Sequence, residues 1–452
     1  MAKLDPSPVP DGCLWYPFTQ MQGLRGDDLL YVRRGEGNYL VDEANRHYFD
    51  AISSMWVNLF GHSRREITEA IKDQATLLPH TSIFGQTHAP ALELAARLVE
   101  VAPPGLEHVF FSDDGSTAVE AALKMAFQYW QQASDARPGR TRFVALEHGY
   151  HGDTLGAVSV GDIEHFHRLY RPLLMDVMRS PSPYCYRCSL RKEASTCSME
   201  CVATLDQLLS THVSEVAAVI VEPLVQAAAG MIVHPAGCLK RIAETCRRYD
   251  VFLIADEVAV GFGRTGNLFA CQGEDVTPDI LCLGKGLTGG YLPMAATMTT
   301  DRVYRGFLAP HQEQKTFFHG HSYTGNPLAA AAALASLEIF STDDVLRSMQ
   351  PRIAHLSRRL QELRGLEHVG DVRQCGFIVG IELVRDRATR EPFAWSDRVG
   401  LRVSEKARQR GVILRPLGHV IYYFLPLTTT ADEIDHLVSV TVEAIQLVTE
   451  EG

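Results

Sequence analysis

Short apolar runs alternate with helical patterns along most of the chain, and two of these runs are followed by a reactive residue. Residues 251–255 and 280–283 are rich in Val, Ile and Leu, which is typical of strands buried on both faces of a sheet. Asp256 follows the first run directly, and Lys285 follows the second run after one glycine. Because ligands of open α/β sheets bind outside the carboxyl ends of the strands, we expect Asp256 and Lys285 to face one pocket.

The same periodicity separates a large unit from a smaller one, as a length of 452 residues leads us to expect. Residues 65–335 alternate apolar strands with amphipathic helices, which indicates a large domain with a mostly parallel sheet covered by helices. Residues 336–452 read as a smaller α+β domain. Ahead of both, residues 1–64 contain a loose arm over positions 1–12 and a hairpin over positions 37–50.

Composition and charge narrow the class of protein. Hydrophobic residues make up 46% of the chain and charged residues 21%, as in ordinary globular proteins. The formal net charge is −11 and there is no basic run, so we expect neither a nucleic-acid nor a membrane partner. Neither an apolar leader at Met1–Pro6 nor a membrane-spanning run is present. Ten cysteines in so long a chain fit free thiols, and we expect a cytoplasmic protein.

Two further predicted strands lead into candidate binding residues. The strand His108–Ser112 continues through a polar turn with Gly115 and Ser116 into a helix. A helix start offers free N–H groups and a positive dipole end to a phosphate, although an ordinary N-cap explains the same pattern. Tyr150 follows the strand Arg142–Leu146, where it either stacks on a planar ring or is a hydrogen-bonded turn residue.

Four cysteines lie close together in a segment of different character. Cys185, Cys188, Cys197 and Cys201 give the spacing C-x2-C-x8-C-x3-C. The two short pairs resemble zinc ligands, but the middle gap is shorter than in the usual zinc ribbon. We therefore favour free thiols on a surface insertion over a zinc site, and we find no paired base for a catalytic cysteine.

Other patterns leave alternatives open. Residues 261–266 match G-x-G-x-x-G, but no helix follows them, so we reject a dinucleotide site. Arg415 stands at a predicted strand end, where it either binds a carboxylate through its two-pronged guanidinium or forms a surface ion pair. The aromatic residues of Trp15–Met21 either dock on the core or wall a pocket.

Taken together, these motifs resemble the signature of class III pyridoxal phosphate (PLP)-dependent aminotransferases. Residues 254–258, 261–266 and 278–285 carry most of the resemblance, which extends over nearly the whole chain. It implies a fold-type-I PLP-dependent transferase, with a mostly parallel seven-stranded sheet in the large domain. It also implies that residues 1–64 join the small domain, that PLP is the cofactor, and that two chains form a homodimer with shared active sites.

The resemblance implies roles for individual residues. Lys285 would bind PLP covalently and move the reacting proton, and Asp256 would keep the pyridine nitrogen protonated. Tyr150 would stack on the ring, while Gly115 and Ser116 would hold the phosphate. The other implied residues contact the phosphate from the partner subunit, line the substrate pocket or bind the substrate carboxylate: Gly320, His321 and Ser322; Phe18, Met55 and Trp56; and Arg415.

The implied reaction is the transamination of 8-amino-7-oxononanoate (KAPA) to 7,8-diaminononanoate (DAPA) in biotin biosynthesis. S-Adenosylmethionine is the expected amino donor. Family members that use this donor often have Tyr where Phe18 stands and Trp where Met55 stands, so the indole here is shifted to Trp56. Residues 373–376 and 319–325 look more like a branch in which some members use lysine.

Several alternatives therefore remain. The chain may be read as the same enzyme with lysine as donor, or as another class III aminotransferase acting on a terminal ω-amine. A PLP-dependent aminomutase or decarboxylase is a rival in a different reaction class, since a fold does not fix its chemistry. A noncatalytic scaffold is disfavoured because Lys285 and Asp256 are both present.

Overall fold

The computed structural model describes residues 13–22, 24 and 29–450, so the arm predicted at residues 1–12 lies outside the described residues. The strands, numbered in chain order, are β1 Val32–Glu36, β2 Tyr39–Asp42, β3 His47–Asp50, β4 Leu106–Ser112, β5 Arg142–Leu146, β6 Val177–Ser180, β7 Val216–Val221, β8 Val225–Gln226, β9 Ile232–Val233, β10 Phe252–Asp256, β11 Ile280–Leu283, β12 Ala295–Thr300, β13 Val369–Cys375, β14 Ile378–Leu383, β15 Val412–Ile413, β16 Arg415–Leu417 and β17 Val420–Phe424.

Right-handed helices connect and cover these strands. Their bounds are Arg65–Leu77, Ala89–Val101, Gly115–Gln132, Leu155–Val160, Glu164–His167, Glu200–His212, Cys238–Arg248, Asp301–Arg305, Pro327–Thr342, Val345–Arg364, Val399–Arg408 and Ala431–Glu450. Within the described ranges, none of these helices combines the length and the apolar character that crossing a bilayer requires.

The largest sheet has seven strands in the order β4-β12-β11-β10-β7-β5-β6. Its neighbours from β11 to β6 pair in parallel, and β12 runs antiparallel to both β4 and β11. The predicted mostly parallel seven-stranded sheet is therefore confirmed. Every residue of β7, β10 and β11 is buried, because helices cover both faces of the sheet and leave no polar side of the strand.

The helix Gly115–Gln132 shows how the sequence fixes one of these covering layers. Small buried residues at Ala118, Ala122 and Ala126 let the helix approach the sheet closely. The indole N–H of Trp130 donates to the carbonyl of Ala217 on β7 at 2.9 Å. The N-terminus of this helix is thereby held against the carboxyl ends of the central strands.

Two smaller sheets join the ends of the chain. One has the order β1-β2-β3-β15, so the predicted hairpin β2–β3 forms and pairs in parallel with a strand from the C-terminal region. The other has the order β13-β14-β17-β16. This pairing supports joining the N-terminal segment to the small domain, and the boundaries 1–64, 65–335 and 336–452 stay a prediction.

The predicted strand Val412–Arg415 is wrong at its end. The chain leaves β15 after Ile413, and Arg415 opens β16, where it pairs with Tyr422 of β17. Pro416 has no N–H to donate and is tolerated because β16 is an edge strand. Arg415 therefore starts a strand of a different sheet instead of ending the previous one.

Candidate active site

A cavity of about 400 Å³ opens at the carboxyl ends of the central strands. Asp256 at the end of β10, Lys285 after β11 and Glu222 after β7 line it. Tyr150 and Ser116 line the same cavity from the turn after β5 and from a helix start. The structure thus brings together the two residues whose meeting the apolar runs predict, together with a third strand-end acid that the sequence analysis missed.

Lys285 has a strained backbone at the cavity wall. Its φ is 39°, in the left-handed region that residues other than glycine rarely adopt, at a cost of about 1–3 kcal/mol. The residue lies between β11 and the short turn that follows it, and its Nζ lies 4.7 Å from the centre of the Trp56 ring. Backbone strain of this kind aims a side chain where the surrounding fold requires it.

The charge state of Lys285 is set by burial and by its neighbours. Burial lowers the pKa of the amine, the Asp256 and Glu222 carboxylates oppose this shift, and the Arg264 guanidinium adds to it. The net direction is downward, which favours the neutral amine over an ordinary lysine. Because only the neutral amine is nucleophilic and able to take up a proton, this environment suits a reactive lysine.

Asp256 is held by hydrogen bonds to both carboxylate oxygens. Its Oδ2 lies 2.7 Å from Nδ1 of His151, and its Oδ1 accepts the Val258 N–H at 3.0 Å. Asp256 and His151 are both buried. With the hydrogen on Nδ1, the imidazole donates to the carboxylate and fixes its orientation. His151 is therefore a positioning residue, and the sequence analysis did not single it out.

Glu222 links the turn bearing Tyr150 to the sheet. Its Oε1 accepts the Tyr150 N–H at 3.0 Å, and its Oε2 accepts the Ala227 N–H at 2.9 Å. Burial raises the pKa of Glu222 to about 7. The Tyr150 hydroxyl donates to Asp153 at 2.9 Å, and burial raises the pKa of this phenol, so Tyr150 presents a neutral ring to the cavity.

The start of the helix Gly115–Gln132 forms one end of the cavity. Asp114 caps it: the Thr117 N–H donates to Oδ1 and the Ala118 N–H to the backbone carbonyl, both at 3.0 Å. Among the described residues, no protein acceptor takes the N–H of Gly115 or Ser116. Two free amides at a helix start, where the dipole is positive, form a site for an anion such as a phosphate.

Two glycines make this end of the cavity compact. A Cβ added at Gly115 would overlap Val258, and one added at Gly152 would overlap the Ser116 hydroxyl. Gly152 also has a φ of 124°, which disfavours every other residue. The backbone of the helix start and the Ser116 side chain are therefore packed against the strand ends without intervening side chains.

A left-handed turn carries two of the predicted substrate residues. Ser53, Ser54, Met55 and Trp56 have φ values of 48°, 47°, 69° and 73°, and the left-handed conformation costs about 1–2 kcal/mol for each such residue. The Ser54 N–H and hydroxyl donate to the two oxygens of Asp50 at 3.1 and 2.7 Å. The turn places Trp56 in the cavity wall, while Met55 points outward and is exposed.

Arg264 holds this turn from below. Its guanidinium is fully buried and donates to the Ser53 hydroxyl at 3.1 Å and to the carbonyls of Trp56 at 3.2 Å and Asn58 at 2.8 Å. A further donation goes to the carbonyl of Leu425 at 2.5 Å. The arginine of the glycine-rich loop thus satisfies buried oxygens that no solvent can reach, and so stabilises the strained turn.

Replacing Arg264 with methionine is expected to destabilise the protein by about 3 kcal/mol, because several buried carbonyl and hydroxyl oxygens lose their donor. Urea unfolding followed by circular dichroism measures the change. Arg65→Met, at an exposed helical position, is the matched control and is expected to be neutral. Equal unfolding free energies for the two variants would contradict the role assigned to Arg264.

The remaining predicted substrate residues lie outside the cavity wall of this chain. Phe18 is exposed and packs edge-on against Phe166, with ring centres 5.1 Å apart, and Phe166 in turn faces Tyr150 at 6.4 Å. Arg415 is half-buried and lies beside Tyr422, whose ring contacts Trp56 at 5.9 Å. Both residues are therefore one ring removed from the cavity.

The predicted partner-subunit residues form a surface loop. The His321 ring lies 3.0 Å from an oxygen of Asp113, Ser322 is exposed, and Gly320 packs against Phe84. None of the three lines the described cavity of its own chain. The four clustered cysteines lie away from the cavity as well, as partly exposed free thiols.

Comparison with known proteins places this geometry in a family. The family model described as Aminotransferase class-III matches residues 23–445. The adenosylmethionine-8-amino-7-oxononanoate aminotransferase of Geobacter sulfurreducens is 52% identical over 437 residues, covering 96% of each chain. The enzyme of the same name from Methanocaldococcus jannaschii is 48% identical over 444 residues, covering 96% of each chain.

Solved structures agree. The crystal structure of the Methanocaldococcus jannaschii enzyme has a TM-score of 0.91 at 46% identity and covers 96% of this chain and 97% of its own. The omega transaminase of Pseudomonas jessenii in complex with PMP has a TM-score of 0.91 at 30% identity, covering 97% of each chain. Because the family match and these relatives extend over nearly the whole chain, the chain belongs to the class III aminotransferases.

Proposed function

We propose that the chain transaminates KAPA to DAPA in biotin biosynthesis, with S-adenosylmethionine as amino donor. The observation that carries this proposal is the meeting of Lys285, Asp256 and Tyr150 in one cavity of a class III aminotransferase. The relatives that are 52% and 48% identical bear the name of this activity. The chain's departures at Phe18 and Met55 concern the donor and leave the acceptor unaffected.

The residues around the cavity fit PLP. The free amides of Gly115 and Ser116 suit its phosphate, the Asp256 carboxylate suits its pyridine nitrogen, and the Tyr150 ring suits its flat face. Lys285 supplies the amine for covalent attachment. When bound, PLP supplies a carbonyl carbon that takes up the amino group and a ring that withdraws electron density from the reacting carbon.

The chain's own residues then handle the protons. Lys285 Nζ, with its pKa lowered by burial, takes a proton from the reacting carbon of the substrate and returns it at the neighbouring position. Asp256, held by His151, keeps a negative charge beside the pyridine nitrogen. Tyr150 and Trp56 wall the cavity, which limits the access of water to the reacting atoms.

Arg415 is proposed to bind the KAPA carboxylate. Among residues 13–22, 24 and 29–450, no acidic side chain forms an ion pair with it, and it lies beside the Tyr422–Trp56 ring pair. Arg415→Ala is expected to raise KM for KAPA by about 10–100-fold with a smaller change in kcat, since a charge-assisted hydrogen bond contributes roughly 1.5–3 kcal/mol. Steady-state kinetics with varied KAPA measure this, with exposed Arg387→Ala as control. An unchanged KM would contradict the assignment.

The function is tested by following DAPA formation by mass spectrometry with S-adenosylmethionine or lysine as donor. Formation with S-adenosylmethionine supports the full proposal. Formation with lysine alone keeps the acceptor and replaces the donor. Failure to form DAPA with either donor, from protein that binds PLP, would overturn the assignment in favour of another ω-amine substrate, an aminomutase or a decarboxylase.

We also propose that two chains form a homodimer with shared active sites. A group of exposed apolar side chains adjoins the loop that contains Gly320, His321 and Ser322, namely Phe84, Phe318 and Tyr323. Exposed aromatic residues concentrated in one region favour a protein interface. Light scattering is expected to give twice the chain mass of 50.1 kDa, and a single-chain mass would contradict the dimer.

A further inference from the structure

Residues 181–199 form a long insertion with turns but neither helix nor strand, between β6 and the helix Glu200–His212. Four of the ten cysteines of the chain lie in or directly after this segment. A segment of this length without secondary structure needs another source of order, since its backbone forms no ladder of hydrogen bonds. The aminotransferase reaction gives this insertion no role.

The thiols of this segment differ from the buried cysteines of the core. Cys185, Cys188, Cys197 and Cys201 are all partly exposed and all free. The Cys197 sulfur accepts the Met199 N–H at 3.3 Å, a contact that stabilises a thiolate. Cys201 lies in the first turn of its helix, where the helix dipole also favours a negative sulfur.

The four thiols also face one another. Burial raises the pKa of the Cys185 thiol, and the charges of Cys197, Cys201 and Cys188 raise it further, so all four lie within electrostatic reach. No three of their sulfur atoms lie within 4.8 Å of one another in the part of the chain that the structure describes. Tetrahedral Zn–S bonds of about 2.3 Å place sulfurs about 3.8 Å apart, so a metal has to draw them closer, and the irregular backbone leaves them free to move.

Cationic side chains surround the segment. Lys192 lies 3.5 Å from Glu200, Arg241 donates to the Ser198 carbonyl at 2.6 Å, and Arg390 donates to the Tyr186 carbonyl at 2.7 Å. A Zn²⁺ ion with four thiolates carries two net negative charges. The surrounding cations offset that charge in a chain whose overall charge is −11.

From this convergence of side chains we propose that Cys185, Cys188, Cys197 and Cys201 bind one structural zinc ion. The four thiols release four protons as four Zn–S bonds form, without any change of oxidation state. With four protein ligands the site is closed, so it has a structural and not a catalytic role. The proposal is independent of the identity of the amino donor and acceptor.

The site would fix how the insertion docks on the small sheet. Tyr184 and Arg187, on either side of Cys185, both hydrogen-bond to Glu382 of β14. Glu382 also pairs with Arg373 of β13 at 2.8 Å, and Arg373 donates to the Gly230 carbonyl at 2.5 Å. An ordered insertion therefore connects β13 and β14 to the loop beyond β7, and loss of zinc is expected to loosen that connection.

The test is the zinc content of the purified full-length protein, measured by inductively coupled plasma mass spectrometry after dialysis against metal-free buffer. The wild type is expected to hold one zinc per chain, and Cys188→Ser and Cys197→Ser to hold less than about a tenth of that. Cys13→Ser, an exposed cysteine outside the cluster, is the matched control and is expected to keep its zinc.

A second measurement does not depend on the folding of the variants. Titration of the wild type with a mercurial reagent is expected to release zinc in step with the modification of the four thiols. Replacement by Co²⁺ is expected to give the intense visible bands of a tetrahedral thiolate site, and removal of zinc to lower the thermal midpoint. Wild-type protein that stays free of zinc after incubation with excess Zn²⁺, or zinc that persists in the quadruple Cys→Ser variant, would overturn the proposal.

Discussion

Replacing Lys285 with alanine is expected to lower kcat for DAPA formation by at least about 10⁴-fold, because proton transfer and covalent attachment of PLP are lost together. No other lysine lines the described cavity. Trp56, whose ring lies beside Nζ, cannot take up a proton in its place. Single-turnover assays with KAPA and S-adenosylmethionine measure the loss.

Two further measurements separate this role from a structural one. The variant is expected to release PLP on gel filtration under denaturing conditions even after borohydride treatment, whereas wild-type protein keeps it covalently bound. Lys240→Ala, at an exposed helical position, serves as control and is expected to retain full activity. A Lys285→Ala protein with wild-type kcat would remove the central residue of the proposed mechanism.

The large sheet and its reactive strand ends were predictable from local sequence. A strand buried on both faces needs a continuous apolar run, and β7, β10 and β11 each have one. The same signal, a polar residue directly after such a run, indicates Asp256 and would also have indicated Glu222. The helix start at Gly115 was predictable because its capping interactions are formed by residues two to four positions apart in sequence.

The parts that escaped prediction depend on contacts between distant segments. Arg264 donates to Ser53, which lies 211 positions away in sequence, so neither the left-handed turn nor its support shows in a local pattern. His151 meets Asp256 across 105 positions. The shift of Arg415 into β16 depends on its partner in β17, which sequence periodicity does not reveal.

Asp256→Ala is expected to lower kcat by about 10²–10³-fold, since it removes a preorganised charge from the reacting site. The carboxylate is the buried group that would keep the pyridine nitrogen of PLP protonated, and without it the ring withdraws electrons less strongly. Steady-state kinetics at saturating KAPA and donor measure the loss. Equilibrium dialysis against PLP separately measures any loss of cofactor affinity.

The isosteric change Asp256→Asn distinguishes charge from shape. An asparagine side chain keeps the size of the carboxyl group and an oxygen that can accept from His151 Nδ1, now at 2.7 Å from Asp256, but it carries no negative charge. If the charge is what matters, Asn is expected to be nearly as inactive as Ala. A PLP analogue methylated at the pyridine nitrogen, which carries a fixed positive charge, is then expected to restore part of the activity in both variants. Wild-type activity in Asp256→Asn would instead assign Asp256 a packing role, and the electron-withdrawing state of the ring would need another source.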